Sequence, residues 1–89
     1  MKFVAVTSNH GDPQPYLTAE AGRTRELAGQ GTLETLLLKA DWSGAVMVLD
    51  APDPSAARAA LETLPLVEAG VSDYDLIEVV PPPDHLPAG

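Results

Sequence analysis

The sequence predicts an α+β fold with the element order β-α-β-β-α-β, and three stretches carry that prediction. Phe3-Val4-Ala5-Val6-Thr7-Ser8 is short, rich in β-branched residues and closed by the turn formers Asn9-His10-Gly11-Asp12-Pro13. Asp53-Pro54 places a capping side chain ahead of a proline at a first helical position. Leu64-Pro65-Leu66-Val67-Glu68-Ala69-Gly70-Val71 reads as a helix end and a tight loop before a last strand, because proline cannot continue a helix and Gly70 readily takes a positive φ.

Taken in order, Phe3–Ser8 is the first strand. Pro13 and Pro15 are tolerable only in a loop or a first helical turn, so the first helix starts between Pro13 and Thr18, with Asp12 or Thr18 as its cap. It ends near Gly29-Gln30-Gly31. Its inward stripe of Leu17, Ala21, Thr24, Leu27 and Ala28 is weakly apolar, and Gly22 weakens the helix by about 1 kcal/mol relative to Ala. Thr32–Lys39, centred on Leu36-Leu37-Leu38, is the second strand; Ala40–Gly44 is a compact turn, and Ala45–Leu49 returns as the third strand of a hairpin. The second helix runs to about Leu64 with Ala57, Ala60, Leu61 and Leu64 on one face, and Asp73–Val80 is the fourth strand. Pro81-Pro82-Pro83 opens a tail that favours polyproline II, so the chain divides into one domain over 1–80 and a Pro-rich segment over 81–89.

Right-handed connections place both helices on one face of the sheet, which is the ferredoxin-like sandwich. The strands Val4-Ala5-Val6, Leu36-Leu37-Leu38 and Val46-Met47-Val48-Leu49 are apolar on both sides, the signature of a sheet covered on both faces. A chain of 89 residues has no third layer to offer, so the second cover is expected to be another copy: a homodimer pairing sheet to sheet, or a higher oligomer of such dimers. The net charge of −8 argues against nucleic acid as a partner. Cysteine is absent, which removes disulfides and thiolate metal sites, and no apolar run approaches the roughly 20 residues that span a bilayer. A soluble, cytoplasmic protein without a membrane partner is the expectation.

The run Pro65-Leu66-Val67-Glu68-Ala69-Gly70-Val71 resembles the segment before the last strand of YciI-like (YCII-related) proteins. Leu64-Pro65-Leu66, with Ile77-Glu78-Val79 later, resembles the corresponding end of muconolactone isomerases. Both groups belong to the dimeric α+β barrel superfamily, so the resemblance implies ferredoxin-like subunits paired through their sheets. It extends at pattern level from about Phe3 to Val80. YciI-like proteins carry a histidine in the first helix and an acid just after the first strand. Aligning Gln30-Gly31 on the family's helix end puts Glu20 in the histidine's place, while Ser8, Asn9 and His10 precede the first acid, Asp12. The family's His/Asp pair is therefore not present in its usual form.

Candidate site residues follow from placement. Glu20 lies on or beside the inward stripe, where a poorly solvated carboxyl has a raised pKa suited to proton transfer; the alternative is a solvated or helix-capping glutamate. Arg23, three residues on, can pair with it across a turn. His10, paired with Asp12, is a second candidate for acid–base work, against a solvated loop histidine. Tyr16 at the mouth of the first helix and Trp42 in the hairpin are candidates for lining a ligand, with packing on a partner subunit the alternative for Trp42. Glu78 shares a strand face with Tyr74 and would need a partner if buried there. The two histidines, His10 and His85, have no ligand spacing, so no metal is expected. Together with the resemblance, these residues imply a small cofactor-independent enzyme acting by proton transfer on an apolar or cyclic metabolite, as isomerase, lyase or cyclase. The alternatives are a non-catalytic ligand-binding or assembly module and a cofactor-free monooxygenase-like barrel.

Overall fold

The computed structural model describes residues 1–83. Four strands form one antiparallel sheet: β1 (Lys2–Asn9), β2 (Leu33–Leu38), β3 (Ala45–Asp50) and β4 (Ser72–Val79), in spatial order β2-β3-β1-β4. The helices are α1 (Leu17–Gly29), α2 (Pro54–Glu62) and α3 (Pro65–Glu68), and a single 3-10 turn over Gln14–Tyr16 leads into α1. This is the predicted α+β order with one addition. Pro65 does not close the second helix; it opens a one-turn helix of its own at the first helical position, where its missing N–H costs nothing.

Alternation along the strands separates the two sheet faces. Phe3 and Ala5 of β1, and Met47 and Leu49 of β3, point toward the helices and are buried with Ala57 and Leu61 of α2 and with Leu64 beyond it. Burying each large apolar side chain contributes about 1.5–3 kcal/mol. α2 carries the stronger apolar face and buries Ala57 and Leu61, started by Asp53, whose carboxylate accepts from Ala56 N–H at 2.8 Å. α1 buries less of its apolar stripe. Of its expected inward stripe, Thr24 and Leu27 are buried, whereas Leu17, Ala21 and Ala28 keep substantial exposure.

Both α1 and α3 stop in the same way. Gly31 (φ 79°) and Gly70 (φ 75°) each follow a helix in the left-handed region. Behind Gly31, Thr32 N–H donates to Leu27 C=O at 3.0 Å; behind Gly70, Val71 N–H donates to Leu66 C=O at 2.9 Å, closing a Schellman motif each time. The loop and last strand expected from Gly70 therefore hold.

The far face of the sheet presents Val4, Val6, Val46 and Val48, all half-buried, beside the more exposed Leu37 and Ile77. No helix among the described residues is long and apolar enough to cross a membrane.

Candidate functional site

The thin stripe of α1 leaves an apolar space of about 460 Å³ between that helix and one end of the sheet. Its helix wall is Leu17, Glu20, Ala21 and Thr24; its sheet wall includes Thr7 and Asn9 of β1 and Met47 of β3. Leu36, Leu38 and Trp42 close the hairpin side, and Leu64, Leu66 and Val67 close the end at α3. The volume falls in the range of small-molecule pockets, ~300–1,000 Å³.

The hairpin is fastened where the cavity needs it. Asp41 accepts from Ser43 N–H at 3.0 Å and from Ser43 Oγ at 2.6 Å, and these bonds hold its carboxyl below its ordinary pKa. Ser43 C=O accepts from Asn9 N–H at 2.7 Å, while Ala45 N–H donates to Thr7 Oγ1 at 2.9 Å. Gly44 sits between these bonds, so close to β1 that a Cβ there would lie 1.9 Å from the Thr7 carbonyl oxygen. Trp42 is carried on this turn at φ 65°, a left-handed conformation rare for a bulky residue, with 75 % of its surface exposed. It flanks the mouth of the space.

Among the described residues, Glu20 is the one carboxyl on the cavity wall. It is half-buried, and loss of solvation pushes its pKa up, opposed by the Leu66 N–H that it accepts at 3.0 Å. That bond ties it to the first turn of α3, whose preceding residue, Leu64, has no side chain to cap it. Glu20 thus faces inward, as its spacing predicts, and also caps a helix; the helix capped is α3 and not its own.

The other expected site residues are distributed differently. His10 does not pair with Asp12; its Nε2 lies 2.6 Å from Asp73, both side chains exposed, because β4 brings Asp73 alongside the end of β1. Asp12 instead accepts from Gln14 N–H at 3.0 Å and shapes the entry to α1. Arg23 turns away from Glu20: its Nε donates to Thr63 Oγ1 at 2.8 Å and its Nη1 lies 3.6 Å from Glu26. Tyr16 and His10 flank α1 without lining the cavity. Glu78 pairs in register with Phe3, at the other end of β1, and is exposed, so solvent satisfies it. His85 lies outside the described residues. Of the cavity's polar side chains, Thr24 was placed on the inward stripe, whereas Thr7, Gln14 and Ser72 were not singled out and Asn9 was read as a turn former; β1 runs on to Asn9, so Thr7 and Asn9 alternate onto one face. Among the described residues, no group of three or more His, Asp or Glu side chains could hold a metal ion.

No family model and no curated protein matches the sequence. Solved structures do match. A muconolactone isomerase superposes with a TM-score of 0.80 at 21% identity, covering 100% of this chain and 98% of the other. The 5-chloro-2-hydroxyhydroquinone dehydrochlorinase TftG from Burkholderia phenoliruptrix AC1100, in complex with 2,5-dihydroxybenzoquinone, gives 0.70 at 15% identity, over 90% and 94% of the two chains. SnoaB, a cofactor-independent oxygenase from Streptomyces nogalater, gives 0.50 at 22% identity, over 94% and 96%. The fold is the one muconolactone isomerase has. The likeness to that protein seen in the sequence is matched at the level of structure, whereas the likeness to YciI-like proteins has no family match behind it.

Proposed function

We propose that this protein is a small cofactor-independent enzyme that transfers a proton on an apolar or cyclic metabolite bound between α1 and the sheet, with Glu20 as the acid or base. The observation that carries the reading is Glu20 itself: a carboxyl of raised pKa on the wall of an otherwise largely apolar space of ligand size. Neighbours named as an isomerase, a dehydrochlorinase and a cofactor-independent oxygenase agree with small-molecule chemistry on this scaffold. Trp42 flanks the bound ring; His10, Tyr16 and Arg23 act at most from outside the cavity. The working unit is a homodimer joined through the far sheet face.

A thermal-shift screen of cyclic metabolites identifies the ligand, since a ligand at 100 times its Kd adds about 2.7 kcal/mol of stability. Glu20→Gln then decides the role of the carboxyl. The amide oxygen still accepts from Leu66 N–H, so the variant should fold and bind while turnover drops about 10²–10⁴-fold. Unchanged turnover would remove Glu20 from the chemistry.

A ligand-binding module without catalysis is the competing reading, and the bond from Leu66 N–H to Glu20 favours it, because that bond gives the carboxylate a structural role. Binding with no turnover of any screened ligand in the parent protein would select it.

A further inference from the structure

Proton transfer at Glu20 makes no use of three polar side chains on the cavity wall, those of Thr7, Asn9 and Ser72. Thr7 and Asn9 alternate on β1 and so point to one face of the sheet. The β1–β4 register sets Ser72 directly opposite Asn9. Ser72 is buried, and its hydroxyl donates to Asn9 Oδ1. With its oxygen occupied, the Asn9 amide keeps two N–H donors, and among the described residues neither has an acceptor. Thr7 Oγ1 accepts from Ala45 N–H and likewise retains its own proton for donation. The sheet wall therefore carries two adjacent side-chain donors, fixed from behind by Ser72 and Ala45. The helix wall carries a carboxyl, and the sides are apolar.

We propose that Asn9 Nδ2, assisted by Thr7 Oγ1, is the oxygen-binding end of the cavity, and that the ligand is a ring compound bearing a carbonyl oxygen. This deepens the proton-transfer reading and rests on it. The Glu20 carboxylate takes a proton from a carbon next to the carbonyl. The C–H electron pair becomes a C=C bond, and the C=O π pair moves to the oxygen as an enolate. Asn9 and Thr7 donate to that oxygen, where negative charge develops and pre-positioned donors help most. When Glu20 returns the proton to carbon, the carbonyl re-forms; nothing else is consumed. Ser72 is a positioning residue, holding the Asn9 amide with its nitrogen toward the ligand.

The test compares 1-indanone with indane, which differ by the carbonyl oxygen, in titrations followed by ¹H–¹⁵N spectra of the labelled protein. The parent should bind 1-indanone about tenfold more tightly than indane, the worth of roughly one good hydrogen bond. The Asn9 side-chain amide signals should move with 1-indanone and stay still with indane. Asn9→Leu should erase the preference while indane affinity holds. Asn9→Asp keeps the acceptor for Ser72, so it guards against a folding artefact, and should also lose the preference. Equal affinities in the parent, or a preference that survives both substitutions, overturn the oxygen subsite and leave the cavity reading standing. If neither compound binds, the cavity reading falls and takes the subsite with it.

Discussion

Glu20 is pulled two ways: burial favours its neutral form, and the Leu66 N–H favours its carboxylate. Burial is the larger effect, so the folded protein holds this proton more tightly than the unfolded chain does. As pH rises through the window above the ordinary glutamate value of 4.5, the unfolded chain has already released the proton and the folded one must give it up at a cost; stability therefore falls. Glu20→Gln does not titrate. Its stability relative to the parent should rise between about pH 4 and pH 7. Urea midpoints at the two pH values measure this, and a pH-independent difference would count against the raised pKa. Helical spacing placed Glu20 on or beside the inward stripe and left a solvated or capping role open. The bond that fixes Asn9 was not legible, because its partner Ser72 lies 63 residues away and only strand register brings them together. The same cause misled the expectation for His10: Asp12 is near in sequence, but β4 delivers Asp73.

Among the elements, the β2–β3 hairpin depends on one glycine more than its sequence reveals. Gly44 was readable as a turn former, but not as the point where the hairpin presses against the β1 backbone. Gly44→Ala would place a methyl 1.9 Å from the Thr7 carbonyl oxygen, so the turn would have to lift and the Ala45–Thr7 bond with it. A loss of about 2–3 kcal/mol is expected by guanidinium unfolding, with the cavity wall disturbed as well. Gly22→Ala is the contrasting substitution. Nothing lies within 4 Å of a Cβ there, and the site is mid-helix in α1, so a gain of about 0.5–1 kcal/mol is expected. If both variants moved in the same direction, close approach would not be what distinguishes the two positions. Pro65 shows another limit of sequence: a residue without an N–H suits both the end of one helix and the first position of the next, and only the structure chose.

At the scale of the whole molecule, strand and helix order were legible because turn formers punctuate this chain at nearly every boundary, whereas the cavity was not, since its walls come from α1, α3, the hairpin and β1, which only the tertiary fold brings together. The apolar strands led to the expectation of a second covered face, and the register shows which residues that face presents. Leu37, Val46 and Val6 lie in one row across β2, β3 and β1, and Val48, Val4 and Ile77 lie in the next row across β3, β1 and β4. Leu37 is 60% and Ile77 53% exposed in the single chain, at opposite edges of a contiguous apolar patch. Pairing two such faces would bury these rows, but it would also bring together two chains each of net charge −8. Asp75, in register with Val6, sits at the rim of the apolar row. A dimer formed through this face should therefore tighten as salt screens that repulsion, the Debye length falling from about 30 Å at 0.01 M to about 8–10 Å at 0.1–0.15 M. Val46→Asp puts a charge in the middle of the patch, where it could find no partner, and should return the protein to monomers with the fold intact by circular dichroism. Light scattering reads both effects: the parent at twice the 9.3 kDa chain mass and the variant near 9.3 kDa. A parent that scatters at the single-chain mass in moderate salt would mean that this face is covered by something other than its own copy.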